Sequence, residues 1–136
     1  MNDQERLEGL EDALDRLRTA SADHVILVEG NKDVAALESL DVNGDIFCVQ
    51  VNGGPVRAAE HAWRAGKDAV ILTDWDRRGG SLAHDLRENL SSLGVGYDDT
   101  IRSDIAFYLR PYSKDVESID SVRNMLISRC QDNCVR

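Results

Sequence analysis

Three short apolar runs, separated by segments with helical periodicity, constrain the fold of this 136-residue chain more than any other feature. The runs cover residues 25–28, 46–51 and 69–73. None of them alternates apolar with polar residues, which is typical of strands buried on both faces, as in parallel sheets. Strands that alternate with helices in this order predict an α/β fold: an open, mostly parallel, Rossmann-like sheet with right-handed crossovers, flanked by helices.

Helical periodicity and breaking residues predict the other elements of a single domain. An amphipathic helix is expected near the N-terminus, and its leucine face would pack either on the sheet or on a partner chain. A short strand beginning at Val95 completes a four-stranded sheet. Helices are expected over residues 3–20, 32–40, 55–65, 79–93, 101–109 and 114–128. The predicted organisation is an N-terminal helix (1–22), a core (23–110) and a C-terminal helix and tail (111–136).

Composition limits the classes of function. The net charge of −9 argues against a protein that coats nucleic acid, because that task requires basic surface. It is compatible with an enzyme, since a divalent cation on clustered acids reverses the local field. The charged N-terminus lacks the apolar core of a secretory signal, and no stretch has the length of a membrane span, so we expect a cytoplasmic protein with no membrane partner.

Cys130 and Cys134 lack a second metal-binding pair and are interpreted as part of a tail.

Acidic residues follow two of the predicted strands. Glu29 comes directly after the first strand, and Asp74 and Asp76 come after the third. Functional groups gather beyond the carboxyl ends of parallel strands, so the three carboxylates meet if the two strands are neighbours. Asp74 and Asp76 are two residues apart, which lets both face one point. Close carboxylates repel unless a hard cation binds them, which predicts a Mg²⁺ site, with Mn²⁺ as a substitute, suited to phosphoryl chemistry.

Glycines and cations beside these acids fit a phosphate-binding role. Glycine at a strand-to-helix turn lets a phosphate approach the backbone, and helix N-termini favour anions. Basic side chains next to the acids would hold phosphate oxygens. Asp33, one turn beyond Glu29, is either an outer metal ligand or a first-turn acid that suits the helix dipole. The predicted phosphate- and substrate-binding residues are Gly30, Lys32, Asp33, Arg77, Arg78 and Gly79.

Structural interpretations compete with parts of this site. An Asp-x-Asp before glycines is also common in turns, where an aspartate caps the next helix. Trp63 and Trp75 are interpreted as packing residues, although Trp75 lies close enough to the acids for base stacking. The combination of Glu-Gly after one strand with Asp-x-Asp-x-x-Gly after another favours a functional site.

With these residues the chain resembles the Toprim domain, the catalytic module shared by topoisomerases, bacterial-type primases and several nucleases. The resemblance spans residues 25–97. It is carried by VILVEG at 25–30, VNGG at 51–54 and ILTDWDRRGG at 71–80, in the order that the family has. In its length and its KDVESI segment at 114–119, the chain is similar to the small stand-alone Toprim proteins of archaea. Those proteins are related to the ribonuclease that matures 5S ribosomal RNA.

The resemblance implies that Glu29 acts as general acid or base while Asp74 and Asp76 hold Mg²⁺. The pKa of Glu29 would have to move toward neutrality, which neighbouring carboxylates favour and a metal opposes. Gly80 departs from the family, because many topoisomerases and primases have Glu at this position. These residues also carry no topoisomerase tyrosine domain or primase zinc domain, so strand passage and autonomous primer synthesis are not expected.

Two functions remain open at this point. The first is a Mg²⁺-dependent nuclease or RNA-processing factor that acts on RNA or DNA. The second is a non-catalytic metal-binding module, or a subunit of a nucleic-acid-processing complex that needs a protein partner. The oligomeric state also stays open.

Overall fold

The computed structural model describes residues 1–135 of the chain and the side chains of residues 1–132. Its strands are β1 (His24–Val28), β2 (Ile46–Cys48), β3 (Asp68–Ile71) and β4 (Tyr97–Asp98). Its helices are α1 (Asp3–Ala20), α2 (Asn31–Ser39), α3 (Gly54–Ala65), α4 (Arg77–Ser92), α5 (Thr100–Leu109) and α6 (Ile119–Val135). A 3-10 helix at Val116–Ser118 precedes α6.

The four strands form one open sheet in the order β2-β1-β3-β4, and every neighbouring pair is parallel. Ile26 in β1 lies opposite Ile46 on one side and Val70 on the other. The predicted α/β class is therefore confirmed, with a sheet that is wholly rather than mostly parallel. Because β1 and β3 are neighbours, the acids that follow them are brought to the same edge.

Two apolar cores, one on each face of the sheet, explain why the strands read as uninterrupted apolar runs. Val25 and Leu27 point toward α3 and α4, whereas Ile26 and Val28 point toward the core formed with α1, α2, α5 and α6. All four side chains are fully buried. Full burial of such a side chain contributes about 1.5–3 kcal/mol, so both faces stabilise the sheet. The leucine face of α1 packs into this second core within the same chain.

Strand β2 is shorter than the apolar run that predicted it. Residues 49–51 leave the strand and enter a turn, where Val51 is 60% exposed and Gly53 adopts a left-handed φ of 103°. Pairing with β1 nevertheless continues past the strand, since the Gln50 amide donates a 3.1 Å hydrogen bond to the Glu29 carbonyl oxygen. This bond holds the turn against Glu29, at the carboxyl edge of the sheet where the acids lie.

Helix boundaries differ most from the predicted ones in α4 and α6, and α6 begins at Ile119 rather than at Lys114 because the 3-10 helix precedes it. Helix α4 begins at Arg77, two residues early, because the Asp76 side chain caps it. Helix α6 continues to Val135, so the segment interpreted as a tail is helical over residues 129–135. The side chain of Cys134 lies outside the described residues. Within the described part of the chain, no helix has the length and apolar character needed to cross a membrane.

Candidate metal centre

Three carboxylates from separate parts of the sequence meet at the carboxyl edge of β1 and β3. Glu29 follows β1, Asp33 lies in the first turn of α2, and Asp74 lies in the connection from β3 to α4. One oxygen from each lies within 4.8 Å of the others. Such a group of hard oxygen donors can hold a divalent cation.

Asp33 was predicted from the sequence as a substrate-binding residue, and as either an outer metal ligand or a first-turn acid of the helix. Its side chain is only 6% exposed, and its Oδ2 accepts a 3.1 Å hydrogen bond from the Gly30 amide. The same bond satisfies a free amide at the start of α2. The structure confirms Asp33 as a first-turn acid of α2 and places it next to Glu29 and Asp74, and its role as a metal ligand stays a prediction.

The loop that carries Asp74 is fixed by hydrogen bonds from distant elements. Arg102 in α5 donates from Nε to the Thr73 carbonyl oxygen at 2.9 Å and from Nη2 to the Asp74 carbonyl oxygen at 2.7 Å. The Val116 amide donates a 2.9 Å hydrogen bond to Asp74 Oδ1. One carboxylate oxygen of Asp74 is thus held by the backbone.

Sequence reasoning missed Arg102 and the Val116 amide. Arg102 belongs to no motif, and its only signal is a basic residue in an otherwise apolar helix face formed by Ile101, Ile105 and Leu109. The Val116 amide carries no sequence signal, because any residue other than proline supplies one.

Close backbone packing explains the glycine at position 79. A Cβ atom there would lie 1.8 Å from the carbonyl oxygen of Asp74, which is far inside contact distance. The buried Thr73 hydroxyl donates a 2.7 Å hydrogen bond to the Gly79 carbonyl oxygen from the same side. Gly79 therefore lets the start of α4 lie directly against the acid loop.

Asp76 lies near the group of three acids but has a different local role. Its Oδ1 accepts a 2.7 Å hydrogen bond from the Gly79 amide, which makes it the N-cap of α4. Strand β3 ends at Ile71, so Asp74 and Asp76 lie beyond it and the predicted strand alternation is wrong for them. The capping interpretation therefore holds for this aspartate, and its charge also acts on Glu29.

Burial and neighbouring acids change the protonation of the group. Desolvation, a hydrogen bond shared with Asp74, and the charges of Asp74, Asp76 and Asp33 raise the pKa of Glu29 from 4.5 to about 8. Burial also raises the pKa of Asp33, against the lowering effect of the Gly30 amide. Without a cation, the group therefore keeps a proton at neutral pH, and a bound cation would replace that proton.

The predicted cations lie in solvent around the acids. Lys32, Arg77 and Arg78 are exposed, and none forms an ion pair with another described residue. They are free to bind anions next to the acidic group.

A second group with metal-binding residue types, His84, Asp85 and Glu88, lies on the exposed surface of α4. His84 Nε2 and Glu88 Oε1 are 3.2 Å apart, so these side chains already satisfy one another. Burial and the raised pKa of Glu29 therefore favour the first group as the metal candidate.

The two tryptophans have opposite environments. Trp75 is 8% exposed, and its Nε1 donates a 2.8 Å hydrogen bond to the Ser113 carbonyl oxygen, so the packing interpretation is confirmed for it. Trp63 is 59% exposed on α3, so the packing interpretation is wrong there.

Comparison with known proteins agrees with this geometry. The family profile of the Toprim domain matches residues 24–106, more than half of the chain. The UPF0292 protein of Methanocaldococcus jannaschii is 32% identical over 124 residues, which cover 91% of this chain and 97% of that protein. The UPF0292 protein of Methanosarcina barkeri is 36% identical over 115 residues, covering 84% of this chain and 80% of that protein.

A solved structure of a protein from Aquifex aeolicus shares the fold. It superposes with a TM-score of 0.66 at 24% identity and covers 79% of this chain and 95% of its own. A Toprim domain indicates a metal-dependent, nucleic-acid-related function. On the family match and the similarity to UPF0292 proteins of archaea, this chain belongs to the Toprim domain family.

Proposed function

We propose that the protein uses Mg²⁺, or Mn²⁺ in its place, to act on phosphodiester bonds in a nucleic acid, as a nuclease or RNA-processing factor. The observation that supports this proposal is the group of Glu29, Asp33 and Asp74, whose carboxylate oxygens lie within 4.8 Å of one another. It lies beyond the carboxyl ends of parallel strands, where α/β sheets bind ligands. Membership of the Toprim family supports a nucleic-acid substrate.

In this proposal Asp33 and Asp74 hold the cation beside Glu29, and Asp76 is tested as a further ligand. Bound Mg²⁺ would supply Lewis-acid polarisation of the scissile phosphate. The Val116 amide and Arg102 keep Asp74 in place, which limits the reorganisation needed for binding. The Val116 amide holds Asp74 Oδ1, and a bound cation would take the place of the proton that Asp74 shares with Glu29.

Glu29 is the proposed proton-transfer residue. Burial and the neighbouring acids raise the pKa of Glu29 and a bound cation would lower it, and these opposed effects support a proton-transfer role for this carboxyl. The protonated carboxyl can donate to a leaving oxygen, and the carboxylate can accept a proton from an attacking water. The proposed substrate-binding cations, Lys32, Arg77 and Arg78, would hold adjacent phosphates.

The net charge of −9 favours a second candidate function. Because acidic surface repels the nucleic-acid backbone, the chain could serve as a metal-binding subunit of a nucleic-acid-processing complex, with a basic protein partner supplying affinity. This candidate predicts metal-dependent binding without cleavage by the chain alone.

A cleavage assay with matched variants separates the two candidates. The purified protein is incubated with Mg²⁺ or Mn²⁺ and a panel of structured RNAs and single- and double-stranded DNAs. Glu29→Gln and Asp74→Asn are compared with Glu38→Gln, which changes an exposed acid at the far end of α2. Cleavage that is lost in the first two variants and kept in the third supports the nuclease. Equal cleavage by all variants contradicts it, and metal-dependent binding without cleavage supports the subunit.

A further inference from the structure

An open groove lies directly beside the metal candidate, between the N-terminal halves of α3 and α4. Its volume is about 330 Å³, and Glu29 forms part of its wall. The turn after β2 forms another part of the wall. There the backbone amide of Gln50 donates a hydrogen bond to the Glu29 carbonyl oxygen. A molecule in this groove would therefore be in contact with the proposed proton-transfer residue.

Apolar side chains form part of the groove. Val49, Pro55 and Leu82 line it, and Val49 is fully buried beneath it as part of the core under α3 and α4. Small-ligand sites typically occupy roughly 300–1,000 Å³ and combine apolar walls with a few polar groups. The groove is at the lower end of this range, so it is sized for one compact group.

Polar groups in the groove have no other partner among the described residues. The Gln50 side-chain amide, the Ser81 hydroxyl and the Arg78 guanidinium all line it, and none forms a hydrogen bond or ion pair within the described chain. Asp85 adds one carboxylate. The groove thus offers hydrogen-bond donors, hydrogen-bond acceptors and a cation next to apolar walls.

We propose that this groove binds one unpaired nucleoside of the substrate, next to the phosphate that reaches the acids. A base has apolar faces that suit Pro55 and Leu82. Its polar edge suits the side-chain amide of Gln50, which has both a donor and an acceptor. Asp85 and Ser81 suit a ribose 2′-hydroxyl or the free hydroxyl at a strand end, and Arg78 suits the attached phosphate.

This placement deepens the proposed function, on which it rests, by defining the substrate class. A base whose faces lie against Pro55 and Leu82 in this groove is taken out of the stack of a duplex. The substrate at this position is therefore single-stranded or locally unpaired, as in a loop, an overhang or an unpaired end.

The test measures the groove and the metal group separately. Adenosine and uridine are titrated into the ¹⁵N-labelled protein in metal-free buffer, and Mn²⁺ affinity is measured by calorimetry. Ser81→Trp fills the groove, whereas Ser91→Trp adds the same ring at an exposed position of the same helix. Gln50→Ala removes the proposed base contact without adding bulk.

We expect saturable amide shifts at Gln50, Ser81 and Leu82, with affinity about tenfold weaker in Ser81→Trp and reduced in Gln50→Ala. Ser91→Trp should bind like the parent. Absence of saturable shifts in the parent, or equal binding by all variants, would overturn the groove assignment. If the parent protein did not bind Mn²⁺, that result would count against the proposed function. It would leave the groove assignment standing, because nucleoside binding is measured without metal.

Discussion

Arg102 and Asp74, 28 residues apart in sequence, are joined by a 2.7 Å hydrogen bond from the guanidinium Nη2 to the aspartate carbonyl oxygen. With the second bond to Thr73, it fixes the backbone of the acid loop from α5. The side chain thereby sets where the Asp74 carboxylate lies without touching it. This relationship makes Arg102 a positioning residue for the metal candidate.

Replacing Arg102 should weaken metal binding without removing any ligand. Arg102→Met leaves two carbonyl oxygens without their donors, and loss of a residue that supports ligands typically costs about tenfold in metal affinity. Arg102→Lys keeps one donor and should be intermediate. Calorimetric titration with Mn²⁺ measures the effect, and Arg110→Met, at an exposed position just after α5, is the control. Equal affinity in Arg102→Met and Arg110→Met would show that the loop needs no such anchor.

The two neighbouring glycines of α4 should respond oppositely to alanine. In Gly79→Ala the new Cβ would lie 1.8 Å from the Asp74 carbonyl oxygen, so the loop must move, at a cost of about 1–3 kcal/mol in unfolding free energy. In Gly80→Ala the Cβ meets no atom within 4 Å, and alanine should stabilise the helix by up to about 1 kcal/mol. Urea unfolding measures both. A Gly79→Ala protein as stable as the parent would contradict the close approach.

Metal-free stability should fall with rising pH because of Glu29. Its pKa is about 8 in the folded state and 4.5 when unperturbed, so between these values the folded state binds more protons than the unfolded state. Stability is therefore highest below pH 4.5 for this group, falls as pH rises toward 8, and levels off above it. Because the carboxyl is partly exposed, the effect should be on the order of 1–2 kcal/mol after solvent screening.

Chemical unfolding at several pH values with a chelator present tests this dependence. Glu29→Gln, which cannot ionise, should be more stable than the parent at pH 8 and show a smaller decline. Glu38→Gln should keep the parental profile. Identical pH profiles for the parent and Glu29→Gln would mean that Glu29 titrates normally.

Asp76 allows capping to be separated from charge. Asp76→Asn keeps an N-cap acceptor of nearly equal quality, so unfolding free energy should change little, whereas Asp76→Ala should lose about 1 kcal/mol. If Asp76 also holds the cation, both variants should bind Mn²⁺ more weakly than the parent. If Asp76→Asn bound Mn²⁺ as tightly as the parent protein, Asp76 would only cap α4 and would not hold the cation.

The sequence predicted the sheet and the edge where the acids meet because both depend on local pattern. The uninterrupted run at residues 25–28 indicated a strand covered on both faces, and Glu29 and Asp74 follow strands that are neighbours in the sheet. Chain order alone does not determine which strands are neighbours, so the meeting of these acids was predicted only on the condition that β1 and β3 pair, which they do.

The supporting contacts could not be predicted, because they come from segments far along the chain. Val116 reaches Asp74 across 42 residues and contributes only a backbone amide. The end of β3 at Ile71 also depends on how the loop is anchored, and it determines that Asp76 caps α4. Local periodicity carries no information on either point.

The location of a bound cation tests the central claim most directly. Crystals grown with Mn²⁺ and measured near the manganese absorption edge would show the ion by its anomalous signal. We predict a peak with oxygens of Asp33 and Asp74 at about 2.1 Å, next to Glu29. A peak only at His84, Asp85 and Glu88, or no peak at a Mn²⁺ concentration that saturates binding in solution, would contradict the assignment of the metal centre.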